Sequence, residues 1–186
     1  MREFVEICQK NGIHTRIVEC ALRVEFSLCE DAEKFLEEYS TLHLAHDDLQ
    51  KWFARLQSKD SAENAVLLEI LMELYKKVNY LVQKINHEEE RLLRLDSESR
   101  ILALGHEVLW VEGAHFEVGR EYYLRFVLPN FSDRIMSVFA RALSAEALLI
   151  TRMHASDVRD FDSFVVAKEM EKIRWQKQMG RGQNDQ

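Results

Sequence analysis

Seven histidines, three cysteines and twenty-five lysines and arginines are the side chains through which this chain could do chemistry. His43-x-x-His46-Asp47 sets two imidazoles beside a carboxylate on one face of a predicted helix. A metal site takes three or four ligands, and the pattern supplies no obvious third. His87-Glu88 and His106-Glu107 begin like the zinc-protease pattern, but Arg91 and Trp110 stand where its second histidine is required. These histidines read as surface or interface groups, and no metal is expected. Cys20 falls in the apolar row of a predicted strand, where a thiol is inert packing. The Ser, phosphate-loop and dinucleotide motifs of common enzyme classes do not occur. Carboxylates lie in runs such as Glu88-Glu89-Glu90, the mark of a solvated helix face. No catalytic residue, no cofactor and no enzymatic activity are therefore expected. The remaining candidates are Arg91, Arg94 and Arg100, because a planar guanidinium makes bidentate bonds to phosphates and guanine edges. The competing expectation for these three is ion pairing with Glu88, Glu89, Glu90 and Asp96.

The elements that must position such groups are announced most strongly between Leu67 and Leu95. Leu67, Leu71, Leu74, Val78, Leu81, Ile85, Glu88, Leu92 and Leu95 follow a strict alternation of four and three residues, and all but Glu88 are aliphatic. That spacing predicts a helix lying against other helices for about 40 Å, at 1.5 Å of rise per residue. Leu67, Leu74, Leu81, Glu88 and Leu95 take position d of the heptad, and Leu71, Val78, Ile85 and Leu92 position a. Leu68, Tyr75 and Val82 widen the apolar stripe beyond a two-stranded seam. A homo-oligomer follows, a tetramer in preference to a dimer, with the eight aliphatic residues as its interface and Glu88 setting register. Asp60 and Glu63 resemble a capping box that opens this helix.

Around that region the pattern varies. Residues 2–10 predict a short helix ended by Asn11-Gly12. Val18, Cys20, Leu22, Val24, Phe26 and Leu28 alternate with polar residues and predict a half-buried strand with no clear partner. Residues 31–57 read as helical, with Phe35, Tyr39, Leu42, His46, Leu49, Phe53 and Leu56 on one stripe. After Leu95 come short strands at Arg100–Leu104, Val108–Val111, Glu121–Leu128, Ile135–Ala142 and Ala147–Met153, with Gly113 and Gly119 at turns and Pro129 as a stop. This predicts a small antiparallel barrel. A helix from about Asp157 to Gln178 follows, then a polar tail.

The predicted organisation is thus an N-terminal segment over 1–30, a helical oligomerisation region over 31–95, a barrel with its C-terminal helix over 96–178, and a disordered tail over 179–186. The fold class is α+β. The chain is 186 residues long with a net charge of −7, which argues against a nucleic-acid partner. No apolar run approaches the length of a membrane span, the first residues do not form a secretory signal, and an odd number of cysteines without a CxxC pair fits a reducing, cytoplasmic setting.

The segment Phe116-Glu-Val-Gly119-Arg-Glu-Tyr122-Tyr-Leu124-Arg-Phe126-Val-Leu128-Pro129 resembles the middle of a PilZ domain, in which an F-x-x-G turn leads into an alternating strand that ends at proline. The strand Ile135–Ala142, the passage through Ala155-Ser156-Asp157 into a helix, and its basic end at Lys172, Arg174 and Lys177 extend the resemblance over roughly residues 96–178. The resemblance implies a six-stranded barrel. It also implies a cyclic di-GMP site built from R-x-x-x-R before the first strand and [D/N]-x-S-x-x-G after it. Both motifs are degenerate: Arg91 and Arg94 are three apart, and Leu102, Leu104 and Glu107 stand where the acid, serine and glycine belong. The resemblance therefore implies an atypical PilZ protein that acts through protein partners, in control of motility, pilus or virulence, with cyclic di-GMP doubtful as a ligand. Arg91, Arg94 and Arg100 are the residues of the alternative, a receptor that grips cyclic di-GMP in a non-standard way. A structural coiled-coil scaffold is the other alternative.

Overall fold

The structure, a computed structural model, describes residues 2–42, 71, 74, 77, 78, 92–129 and 134–182. Helix α1 spans Arg2–Lys10 and strand β1 spans Val18–Leu28. Helix α2 occupies residues 32–42. Five strands follow: β2 (Ser97–Leu104), β3 (Val108–Val111), β4 (Glu121–Val127), β5 (Ile135–Ala142) and β6 (Ala147–Met153). Helix α3, Ala155–Gly182, ends the described chain. No helix among the described residues is long and apolar enough to cross a membrane.

The strands close in the order β1-β2-β3-β6-β5-β4, every neighbour antiparallel. The α+β class and the six-stranded antiparallel barrel with a C-terminal helix are as expected. β1, which the sequence left without a home, is the strand that closes the barrel. Val24 faces Ser99 of β2 on one side and Phe126 of β4 on the other. Within residues 1–30, β1 belongs to the barrel. The barrel takes one strand from before residue 30 and five from after residue 96, and the intervening chain is an insertion between β1 and β2. Closure gives the physical reason: without β1 the sheet would leave the edges of β2 and β4 unpaired. Helix α3 continues through Gly182; residues 183–186 lie outside the described residues.

Alternation fixes which side chains enter the barrel. Val18, Leu22 and Val24 of β1, Leu124 and Phe126 of β4, and Met136 and Val138 of β5 meet in its core, with Cys20, Phe26 and Leu28 packed against them. Helix α3 reaches this core with Phe161, Phe164 and Val165. Helix α1 covers an outer face, where Phe4 and Cys8 pack on Ala103, Val108 and Ala147. Helix α2 covers another, where Phe35 and Tyr39 pack on the cross-strand pair Tyr123 and Phe139. Gly113 and Gly119 have φ of 58° and 85° and let the chain turn between β3 and β4, in a region that disfavours any residue with a Cβ. β4 stops at Val127 because Pro129, two residues on, has no N–H to give a ladder.

Candidate functional site

Three of the expected interface residues are described on helix. Leu71, Leu74 and Val78 are helical and 47%, 59% and 47% exposed. Their spacing of three and four places them on one face, so they form an uncovered apolar stripe on the single chain. Lys77, at position g, is exposed beside them. Leu67, Leu81 and Ile85 lie outside the described residues, as do Arg91 and the histidine pairs at 43, 46 and 87. The seam does not reach Leu92 or Leu95 as a helix. Leu92 sits in a bend, and residues 93–95 run as irregular chain into β2. The cause is the barrel: Ser97 pairs with Phe26 of β1, so residues 92–96 lead into a strand. Leu95, together with Leu93, is partly buried against the Phe35–Tyr39–Tyr123–Phe139 cluster, so its apolar partner is the barrel face.

Of the three candidate arginines, Arg94 and Arg100 are among the described residues. Arg94 is exposed in the irregular stretch, and Arg100 is exposed on β2 directly opposite Arg23 of β1. Arg23 is itself held by Glu98, with Nε 2.6 Å from Oε1. Neither Arg94 nor Arg100 lines the two cavities of about 390 and 310 Å³ at the barrel surface. Arg16, just before β1, donates Nη1 to Glu169 Oε1 of α3 at 2.7 Å.

Two charged clusters that sequence reasoning missed lie at the joints of the fold. Arg125 and Tyr123 both point outward from β4, beneath α2. Arg125 Nη1 donates to both oxygens of Glu38 on α2 at 3.1 and 3.0 Å, and Nη2 to Glu25 of β1 at 2.6 Å. Glu38 also accepts from the Tyr123 hydroxyl at 2.8 Å and from the Leu93 amide at 2.5 Å. Arg125 and Glu38 are 6% and 8% exposed. Glu38 therefore ties the start of the insertion, α2, and its end, Leu93, to the same strand. Burial pushes the Tyr123 phenol well above its ordinary range, and the neighbouring Glu38 carboxylate adds to the shift. The hint in the sequence was Glu38 itself, a charge lying between Phe35 and Tyr39 on an apolar stripe.

The second cluster joins β5 to α3. Arg134 is 4% exposed; its Nη1 donates to Asp160 at 2.7 Å, and Nη2 reaches Ser156 at 3.0 Å and pairs with Asp157. Asp157 also lies in the first turn of α3, where the helix dipole favours a carboxylate. Local spacing carried no signal for it.

Chemically these groups are anchors. Their charges are spent on one another, and burial raises the three thiols, Cys20 to about 11, which keeps them protonated and poor nucleophiles at neutral pH. Among the described residues no group of three His, Cys, Asp or Glu side chains is placed to hold a metal ion.

No protein-family model matches the chain, and no curated protein matches it. Among solved structures, it aligns with that of the Bacillus subtilis inhibitor of motility (MotI/DgrA) at 10% identity and a TM-score of 0.43. The alignment covers 86% of this chain and 52% of that one, so this chain spans about half the length of that protein.

Proposed function

We propose that this chain is a non-catalytic signalling protein, an atypical PilZ-like barrel carried by a heptad-helix homo-oligomer and acting through protein partners. The observation that carries the reading is the stripe of Leu71, Leu74 and Val78, three successive seam positions each close to half exposed on the single chain. Covering such a stripe with copies of itself removes apolar surface at about 25 cal/mol per Å². A tetramer answers best to the width of the stripe. The barrel is then displayed in several copies, and motility, pilus or virulence control is the setting the resemblance implies.

Binding of cyclic di-GMP in the usual way is not part of this reading. Arg94 and Arg100 line neither surface cavity, and Arg16 is engaged by Glu169. The test is the mass in solution by light scattering, with a calorimetric titration of cyclic di-GMP alongside. The expected outcome is an oligomer that becomes a folded monomer on Leu71→Asp with Leu74→Asp, and no heat with the nucleotide. An unchanged mass in the double variant would overturn the seam. Micromolar binding lost on Arg94→Ala with Arg100→Ala would establish the receptor reading instead.

A further inference from the structure

The cavity of about 390 Å³ lies where β1 ends, β2 begins and the loop after β3 folds over them. Its volume falls in the range of sites that take a small ligand or a single side chain with its flanking backbone. Three rings line it: Phe26, Phe116 and Tyr122, packed edge to face with centroids 4.7 to 6.5 Å apart. Its lining includes the carboxylates of Asp96 and Glu98 and the imidazole of His115, and among the described residues no lysine or arginine. Glu98 is neutralised by Arg23. Asp96 makes no ion pair among the described residues, so its charge is uncompensated.

Two hydroxyls add a further signature. Ser27 and Tyr122 are both more than nine-tenths buried and both line the cavity. Each already accepts a backbone N–H, Ser27 Oγ from Asp96 at 2.8 Å and Tyr122 Oη from Glu117 at 2.9 Å. Neither hydroxyl proton has an acceptor among the described residues. A hydroxyl can donate as well as accept, so both remain able to donate to a guest.

We propose that this cavity is a docking site for an arginine or lysine side chain of a partner protein. The cation would lie against the aromatic faces and pair with Asp96, while the hydroxyls of Ser27 and Tyr122 donate to the backbone carbonyls that flank it. Each part of the lining selects for that guest. Ring faces attract cations, an uncompensated carboxylate adds Coulomb attraction, and an anionic guest would meet Asp96 with no lysine or arginine among the described lining residues to offset it. The proposal deepens the partner-binding reading and rests on it for the claim that the guest belongs to a protein. The cavity is also two residues from Arg94, at the joint between insertion and barrel, so a segment bound there would touch both.

The test uses the full chain with methyl-labelled leucine and alanine, because Leu28 and Ala114 line the cavity. The probe is N-acetyl-arginine methylamide, with N-acetyl-glutamine methylamide as the neutral control. The expected result is saturable shifts of the Leu28 and Ala114 methyls at millimolar probe, at least about fivefold weaker for the control and for Asp96→Asn. Asp96→Asn keeps the backbone amide that bonds Ser27, so the barrel should keep its spectrum. No shift, equal binding of the neutral probe, or unchanged affinity in Asp96→Asn would each overturn the site. Repeating the titration on the Leu71→Asp, Leu74→Asp variant separates the claims. Binding to a monomer supports the cavity whatever becomes of the oligomer, and an oligomer that ignores the probe removes the cavity and leaves the seam standing.

Discussion

Helix α2 and the helical positions 71, 74 and 78 carry the same kind of apolar spacing and meet opposite fates. On α2, Phe35 and Tyr39 are four apart and are 2% and 6% exposed, because the outward row of β4 and β5 receives them. At 71–78, Leu71, Leu74 and Val78 keep the same period and stay about half exposed. Periodicity therefore says that a helix face wants a partner; it does not say whether the partner is the same chain. The difference lies in what accompanies the stripe. α2 also carries Glu38, a buried carboxylate, and β4 supplies Arg125 to pair with it. Among the described residues, Leu71, Leu74 and Val78 have no such lock.

The comparison can be broken most severely at Phe35. Phe35→Ala leaves a cavity under α2 and should cost about 3–5 kcal/mol, read as a fall in the denaturation midpoint. Glu38→Ala should cost about 3 kcal/mol by stranding Arg125 with Glu25 alone, whereas Glu38→Met with Arg125→Met together should be close to neutral. If the double substitution is as damaging as the single, the pair does more than satisfy itself. Tyr123→Phe removes one buried hydrogen bond to Glu38 and should cost about 1 kcal/mol at neutral pH. Leu71→Ala should change the stability of the dilute, monomeric chain by less than about 0.5 kcal/mol, while lowering the mass measured at high concentration. A large loss at dilution would mean that the stripe is covered within the chain after all.

The titrations sharpen the same contrast at alkaline pH. Cys20 is pushed from 9.0 to about 11 by burial, so the folded chain holds its proton longer than the unfolded chain does. Stability from this group is fully present below pH 9 and is lost as pH rises toward 11. Tyr123, also raised, acts in the same direction above its ordinary value of 10.0. Denaturation midpoints measured across that window should fall with pH, and Cys20→Ala or Tyr123→Phe should each flatten part of the slope. A slope unchanged in both variants would place the titrating groups elsewhere.

What could be read without the fold was whatever is local. Alternation of the row from Val18 to Leu28 marked β1 at its observed bounds, because a strand with one face in a core repeats every two residues; β3, β5 and β6 were legible as short runs between turn residues. The helical state of Leu71, Leu74 and Val78 was legible because a helix repeats every 3.6. That of Leu92 and Leu95 was misread: they keep the four-three count, yet the pairing of Ser97 with Phe26 outranks the pattern there.

Sequence by itself determined the α+β class, the run of short strands and the short N-terminal helix, since each depends on the order of neighbours along the chain. Only the tertiary structure decided that β1 closes the barrel, that Arg94 and Arg100 stay apart from its cavities, and that Glu38 and Arg125, eighty-seven residues apart, form the lock beneath α2. Those outcomes depend on which distant segments closure brings together. A buried charge is tolerable only where such a partner arrives, and no spacing along the chain records the meeting.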